Sequence, residues 1–109
     1  MEHRFALTAT ALDELKRLDA RARRMVTERF SQSLFPLGAH EIRGSQFYEV
    51  PVGEYRVIYR LNRTSIDPTY DIIIVDIFRR SEPRKTVKSL TERLELEPLV
   101  VDPDLQDTR

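Results

Sequence analysis

The side chains in this sequence best suited to chemistry lie on three neighbouring extended segments: Glu49, Arg56, Arg60, Asp76 and Arg80. Guanidinium groups bind oxyanions through paired N–H donors and stay charged while negative charge develops nearby. A carboxylate such as Glu49 can act as a general base or pair with a cation. His40 is the other acid–base candidate, because imidazole titrates near neutrality. It falls in a loop on this reading, as does Arg43, and a lone histidine is most often simply exposed.

These residues share a surface only if residues 46–80 form an antiparallel sheet. In Tyr55-Arg56-Val57-Ile58-Tyr59-Arg60-Leu61 the apolar and polar positions alternate with period two, as a half-buried strand requires. Tyr55, Val57, Tyr59 and Leu61 take one face, and Arg56, Ile58 and Arg60 the other. Phe47–Val52 precedes it through Gly53-Glu54, which suits a type II′ hairpin. A two-residue loop sets Val52 against Tyr55, Pro51 against Arg56, Val50 against Val57 and Glu49 against Ile58. Glu49 is then diagonal to Arg56 and Arg60, where a cross-strand ion pair is the simpler role. In the third strand Ile73, Val75 and Ile77 are expected to form one aliphatic row, with Asp76, Phe78 and Arg80 opposite. The expectation is a sheet with one buried face and one open, arginine-bearing face.

The chain of 109 residues can bury one core and is read as one domain, residues 1–97, followed by an acidic tail at 98–109. It has no cysteine, which excludes disulfides and thiolate metal sites. No metal or other cofactor is expected. No run approaches the roughly 18 apolar residues of a membrane span. Met1-Glu2-His3-Arg4 leads straight into folded-looking sequence rather than a secretory signal, so a soluble cytoplasmic protein is expected. Net charge is zero, but unevenly spread: residues 92–109 hold six acids and two bases, and the rest holds 12 acids and 16 bases. That asymmetry fits a basic site with an acidic tail that shields it, and fits a frayed acidic end equally well.

Residues 3–7 read as a short strand. Thr8 or Thr10 can cap a helix to about Leu18 with Leu12, Leu15 and Leu18 inward, and Asp19 can cap a second helix from Ala20 to about Leu34. Ala22, Val26, Phe30 and Leu34 are its inward positions, while Arg21, Arg23, Arg24 and Arg29 make a solvated side. Asp67-Pro68 marks a turn before the third strand of the sheet. A last helix is expected from near Pro83, with Val87, Leu90 and Leu94 as its apolar seam and Pro98 as its end. Leu99-Val100-Val101 can add a strand. The fold class is α+β: a short N-terminal strand, a helical hairpin, an antiparallel sheet and a C-terminal helix.

This order, with Ile42-Arg43-Gly44, Tyr48-Glu49-Val50, Glu54-Tyr55-Arg56-Val57-Ile58-Tyr59 and the Arg79-Arg80 strand end, resembles the RelE/ParE superfamily of toxins from type II toxin–antitoxin pairs. The resemblance extends to about Leu96, and its most specific piece is the Gly-x-Tyr-Arg-Val-Ile-Tyr strand from Gly53 to Tyr59. It implies a cognate antitoxin as partner and one of two targets. RelE-like members cut mRNA on the ribosome without metal; ParE-like members share the fold and inhibit DNA gyrase. Carried over residue by residue, Arg56 matches the arginine that contacts the scissile phosphate, and Arg80 the arginine that stabilises the transition state.

Where RelE has two lysines in the strand before, this chain has Glu49 and Pro51, and it has no tyrosine after Tyr70. The RelE catalytic set is therefore incomplete, which leaves Glu49 as a candidate base. Arg43, Arg60, Arg79, Arg84, Lys85 and Lys88 are candidates for holding RNA backbone, and Phe78 for stacking a base. The leading expectation is a ribosome-dependent mRNA endoribonuclease. The alternatives are a non-enzymatic gyrase inhibitor and a degenerate toxin retained for antitoxin binding.

Overall fold

The computed structural model describes residues 3–63 and 70–101. The expected Asp67-Pro68 turn and most of the acidic tail lie outside them. The elements run β1 (Phe5–Thr8), α1 (Ala9–Arg17), α2 (Ala20–Gln32), β2 (His40–Glu41), β3 (Phe47–Val52), β4 (Tyr55–Leu61), β5 (Ile72–Arg79), α3 (Val87–Leu96) and β6 (Leu99–Val100). The strands form one sheet in the order β2-β3-β4-β5-β1-β6, antiparallel except where β1 lies parallel to β5. The fold is α+β, as expected.

Local signals account for the helical pair. Thr8 caps α1, its hydroxyl accepting from the Ala11 N–H, and the Asp19 carboxylate caps α2 through the Ala22 N–H at 2.8 Å. Leu15, Leu18, Val26 and Phe30 bury the inward stripes against Phe5, Leu7, Val50, Val52, Val57 and Tyr59. Tyr59 is buried, with its hydroxyl donating to the Leu34 carbonyl at 3.0 Å. Burial, and secondarily Tyr48 beside it, pushes its pKa up to about 12.

The β3–β4 hairpin has the expected register, with Val52 against Tyr55 and Glu49 against Ile58. Gly53 has φ +59 and no described non-glycine residue has positive φ, as a type II′ turn requires.

The third strand departs from expectation. Ile58 pairs with Asp76 but Tyr59 pairs with Ile74, so Val75 is an extra residue in a β-bulge. Ile77 consequently joins Ile72 and Ile74 in the core beneath the helical pair, whereas Ile73 and Val75 face the other way. They do not form one row.

That other face is not open. Ile42, Phe47, Ile58, Ile73, Val75 and Phe78 form a second core, closed by Leu90 of α3. Glu49 and Asp76, expected on an open surface, are buried. The last helix starts at Val87 rather than near Pro83, because Thr86 caps it by accepting from the Ser89 N–H at 3.1 Å. Leu99 and Val100 do pair with β1, and Glu97 binds both the amide and the hydroxyl of Thr10. Since β6 is antiparallel to β1 and β1 is parallel to β5, the chain leaves β6 toward the start of β5, away from Arg80.

The bulge creates a buried ionic cluster. β1 pairs with β5 only as far as Ile74, and Glu14 of α1 accepts from the Ile77 N–H at 3.1 Å. Glu14 and Asp76 share Arg93 of α3, at 3.3 and 3.0 Å, and Lys85 lies 3.3 Å from Asp76. Burial first, and the Asp76 charge second, raises the Glu14 pKa to about 7, against the opposing pull of the Ile77 amide and Arg93. A carboxyl raised in the folded state stabilises below its unfolded value of 4.5, and that contribution is lost as pH rises through about 7. Glu14→Gln mimics the protonated form. It is expected to raise stability at pH 8 by on the order of 1–2 kcal/mol and to change it little at pH 4.5. Urea unfolding at the two pH values checks this; an equal difference at both would refute it.

Candidate functional site

The second face is not sealed at the end of the sheet where the β3–β4 hairpin turns, and several of the candidate residues meet there. In the ladder His40 of β2 pairs with Glu49 of β3, which pairs with Ile58 of β4. His40 is thus on an edge strand beside Glu49, not in a loop. Its Nε2 lies 3.2 Å from Glu49 Oε2. Glu49 Oε1 lies 3.6 Å from Arg56 Nη1 and 3.8 Å from Arg84 Nη1. Both distances are ion-pair contacts too long for hydrogen bonds. Among the described residues, Glu49 Oε1 is the buried side-chain oxygen that makes no hydrogen bond. The Glu49 side chain is 4 % exposed while that of His40 is 57 % exposed, so a sealed carboxylate carries an imidazole that reaches solvent.

Arg56 is fixed from three sides. Its guanidinium lies over the Phe78 ring at 5.4 Å, faces Glu49, and donates through Nη2 to the Arg80 carbonyl at 2.6 Å. Arg80 follows the end of β5, where its amide donates to the Glu54 carbonyl at 2.9 Å. Its guanidinium lies 3.5 Å from the Gly53 carbonyl, at the hairpin tip. One carboxylate faces the guanidinium groups of Arg56 and Arg84, so positive charge is left over even with His40 neutral. Such a site attracts an anion.

The remaining candidates are dispersed. Arg79 pairs with Tyr55 in the ladder, on the face toward the helical pair; it lies over the Tyr55 ring at 5.5 Å and 3.7 Å from Glu54. Arg60 lines a groove of about 410 Å³ with Phe47, Val87, Thr91 and Glu95. Lys85 is engaged by Asp76. Arg43 is exposed between β2 and β3, and Lys88 is exposed in the first turn of α3. Phe78 is buried beneath Arg56 and Lys85 rather than presented for stacking. Among the described residues no group of three or more His, Asp or Glu is placed to hold a metal ion, and no helix is long and apolar enough to cross a membrane.

Two features escaped the sequence. The His40–Glu49 contact had a signal in Ile42-Arg43-Gly44-Ser45, a turn joining β2 to β3 in which Gly44 takes φ +74. The Glu14–Asp76–Arg93 cluster had none, because its members come from three elements far apart in the chain.

A six-stranded, mostly antiparallel sheet under a helical pair is consistent with a RelE-like fold. The chain belongs to the ParE toxin family of type II toxin–antitoxin systems (parDE), whose family model matches residues 5–84. The match includes Arg80 and Arg84 and stops short of α3. No curated protein matches the chain.

Proposed function

We propose that this toxin acts by cutting mRNA on the ribosome, gripping phosphate with Arg56, Arg80 and Arg84 and moving protons through His40. The observation that carries the reading is the buried Glu49 carboxylate held between an exposed imidazole and two guanidinium groups. Cleavage of RNA by its own 2′-hydroxyl forms the 2′-O–P bond and breaks the P–5′-O bond. It needs a proton removed from the first oxygen, a proton given to the second, and stabilisation of the negative charge that builds on the non-bridging phosphate oxygens. The arginines supply the last. Glu49 at Nε2 orients the His40 ring, and Nδ1, 3.3 Å from the Gly38 carbonyl, is the nitrogen left to exchange that contact for substrate and give its proton to the 5′-oxygen, while the 2′-hydroxyl proton passes to solvent water. Glu49 is sealed behind Arg56 and Arg84, so its role is to orient His40 rather than to meet the substrate.

Family membership supports a cognate antitoxin as the partner that silences the toxin. A ribosomal target implies action in the cytoplasm. In a reconstituted translation reaction, His40→Ala is expected to slow mRNA cleavage by about 10²–10⁴-fold. Undiminished cleavage would remove His40 from the mechanism.

Gyrase inhibition is the second reading. It is supported by the match to the ParE toxin family, since ParE-like members inhibit gyrase and need no catalytic set. Loss of DNA supercoiling by gyrase with mRNA left intact would select it.

A further inference from the structure

We infer that Asp76 is a positioning residue: through Lys85 it tethers the segment that carries Arg80 and Arg84 against the sheet. The catalytic consequence rests on the RNA-cleaving reading above; the tether itself does not. Asp76 is fully buried beside the bulge of β5. Lys85 Nζ lies 3.3 Å from both of its carboxylate oxygens, and Arg93 Nη1 lies 3.0 Å from Oδ1. One carboxylate therefore holds both the approach to α3, through Lys85, and α3 itself, through Arg93.

Residues 80–86 have few other anchors. No buried side chain lies among them, and α3 begins only at Val87. At the start of the segment Arg80 N–H donates to Glu54 and Glu82 N–H to Arg79, both at 2.9 Å, the Arg80 carbonyl accepts from Arg56 Nη2 at 2.6 Å, and the Arg80 guanidinium lies 3.5 Å from the Gly53 carbonyl. Arg84, next to Lys85, reaches Glu49 at 3.8 Å. A segment of exposed polar residues is ordered at an entropic cost that surface contacts alone repay poorly. A buried charge pair is a stronger anchor, because leaving Asp76 without Lys85 strands part of its charge away from water. Glu14 faces the same carboxylate from α1, and Arg93 stands between the two, so Lys85 is the member of the cluster that belongs to the segment.

Hydrogen exchange on the full chain tests this with Lys85→Met, which keeps the Asp76–Arg93 pair and hence the fold, and with Asp76→Asn. The Arg80 and Glu82 amides are expected to lose about tenfold or more in protection in both variants. Amides of α2 and β3 should not change in Lys85→Met, and Lys85→Arg should restore the segment. Unchanged exchange at Arg80 and Glu82 in Lys85→Met, or a loss spread equally over α2, would overturn the tether. A second arm reads function: Arg84→Ala should cost about tenfold less in mRNA cleavage in the Lys85→Met background than in the parent chain, since a released Arg84 has little left to lose. Equal costs would overturn the positioning role. If the parent chain does not cleave mRNA, it is the RNA-cleaving reading that fails, and the exchange arm alone decides the tether.

Discussion

Replacing Arg56 with alanine is expected to abolish growth arrest while leaving a folded protein. The guanidinium touches Glu49, Phe78 and the Arg80 carbonyl, so it links the sealed carboxylate to the strand end where an anion would bind. Losing one preorganised donor to a developing phosphorane costs about 10²–10³ in rate. The cost to folding should be smaller, about 1–3 kcal/mol, because Glu49 keeps His40 and Arg84 as neighbours. Arg56→Lys separates charge from geometry: it keeps the cation but loses the planar fork, so it should recover only part of the activity. The check is mRNA cleavage alongside thermal unfolding of both variants. Full activity in Arg56→Ala would remove this residue from the mechanism.

The largest expected loss of stability comes from the opposite side of the same face. Leu90 is the one residue of α3 that is fully buried, and it closes a core made by Phe47, Ile58, Val75 and Phe78. Leu90→Ala removes that plug and is expected to destabilise by about 2–5 kcal/mol, the usual range for truncating a buried leucine. A domain of this size has about 5–15 kcal/mol in total, so a drop of that size should be plain in the urea midpoint. Because the core beneath α1 and α2 does not include Leu90, α3 should lose exchange protection before α2 does. A change below about 1 kcal/mol would mean that α3 contributes little to the fold, and that the second face is open after all.

The parts of the fold that were legible in the sequence are those set by local chemistry. Asp19 and Thr8 announce helix starts because their side chains satisfy amides a few residues on. Gly53-Glu54 fixes the hairpin register because the backbone there needs a positive φ. The bulge was not legible. Ile72-Ile73-Ile74-Val75 is aliphatic throughout, so alternation carries no signal and a one-residue slip leaves no trace. Covering of the second face was half legible: Phe47, Ile58 and Phe78 all point that way, more apolar surface than a solvated face ordinarily carries. Thr86, directly before the Val87, Leu90 and Leu94 seam, was a better helix start than Pro83, whose ring suits a first turn but caps nothing.

Of the candidate site, Glu49 and Arg56 come together as the hairpin register requires. The ion pair expected between them is present. Arg84 and His40 join them through a loop and an edge strand, and long-range placement of that kind has no sequence period to reveal it. The same holds for Asp76, which lies on the expected side of β5 but is enclosed there by Lys85 and Arg93.

The most direct test is the chemistry of the RNA ends in a translation reaction given the purified toxin. The mRNA is expected to be cut within the translated region, with 2′,3′-cyclic phosphate on the upstream fragment and 5′-hydroxyl on the downstream one, and not to be cut by Arg56→Ala. Intact mRNA in the same reaction, together with toxin-dependent loss of gyrase supercoiling, would contradict this.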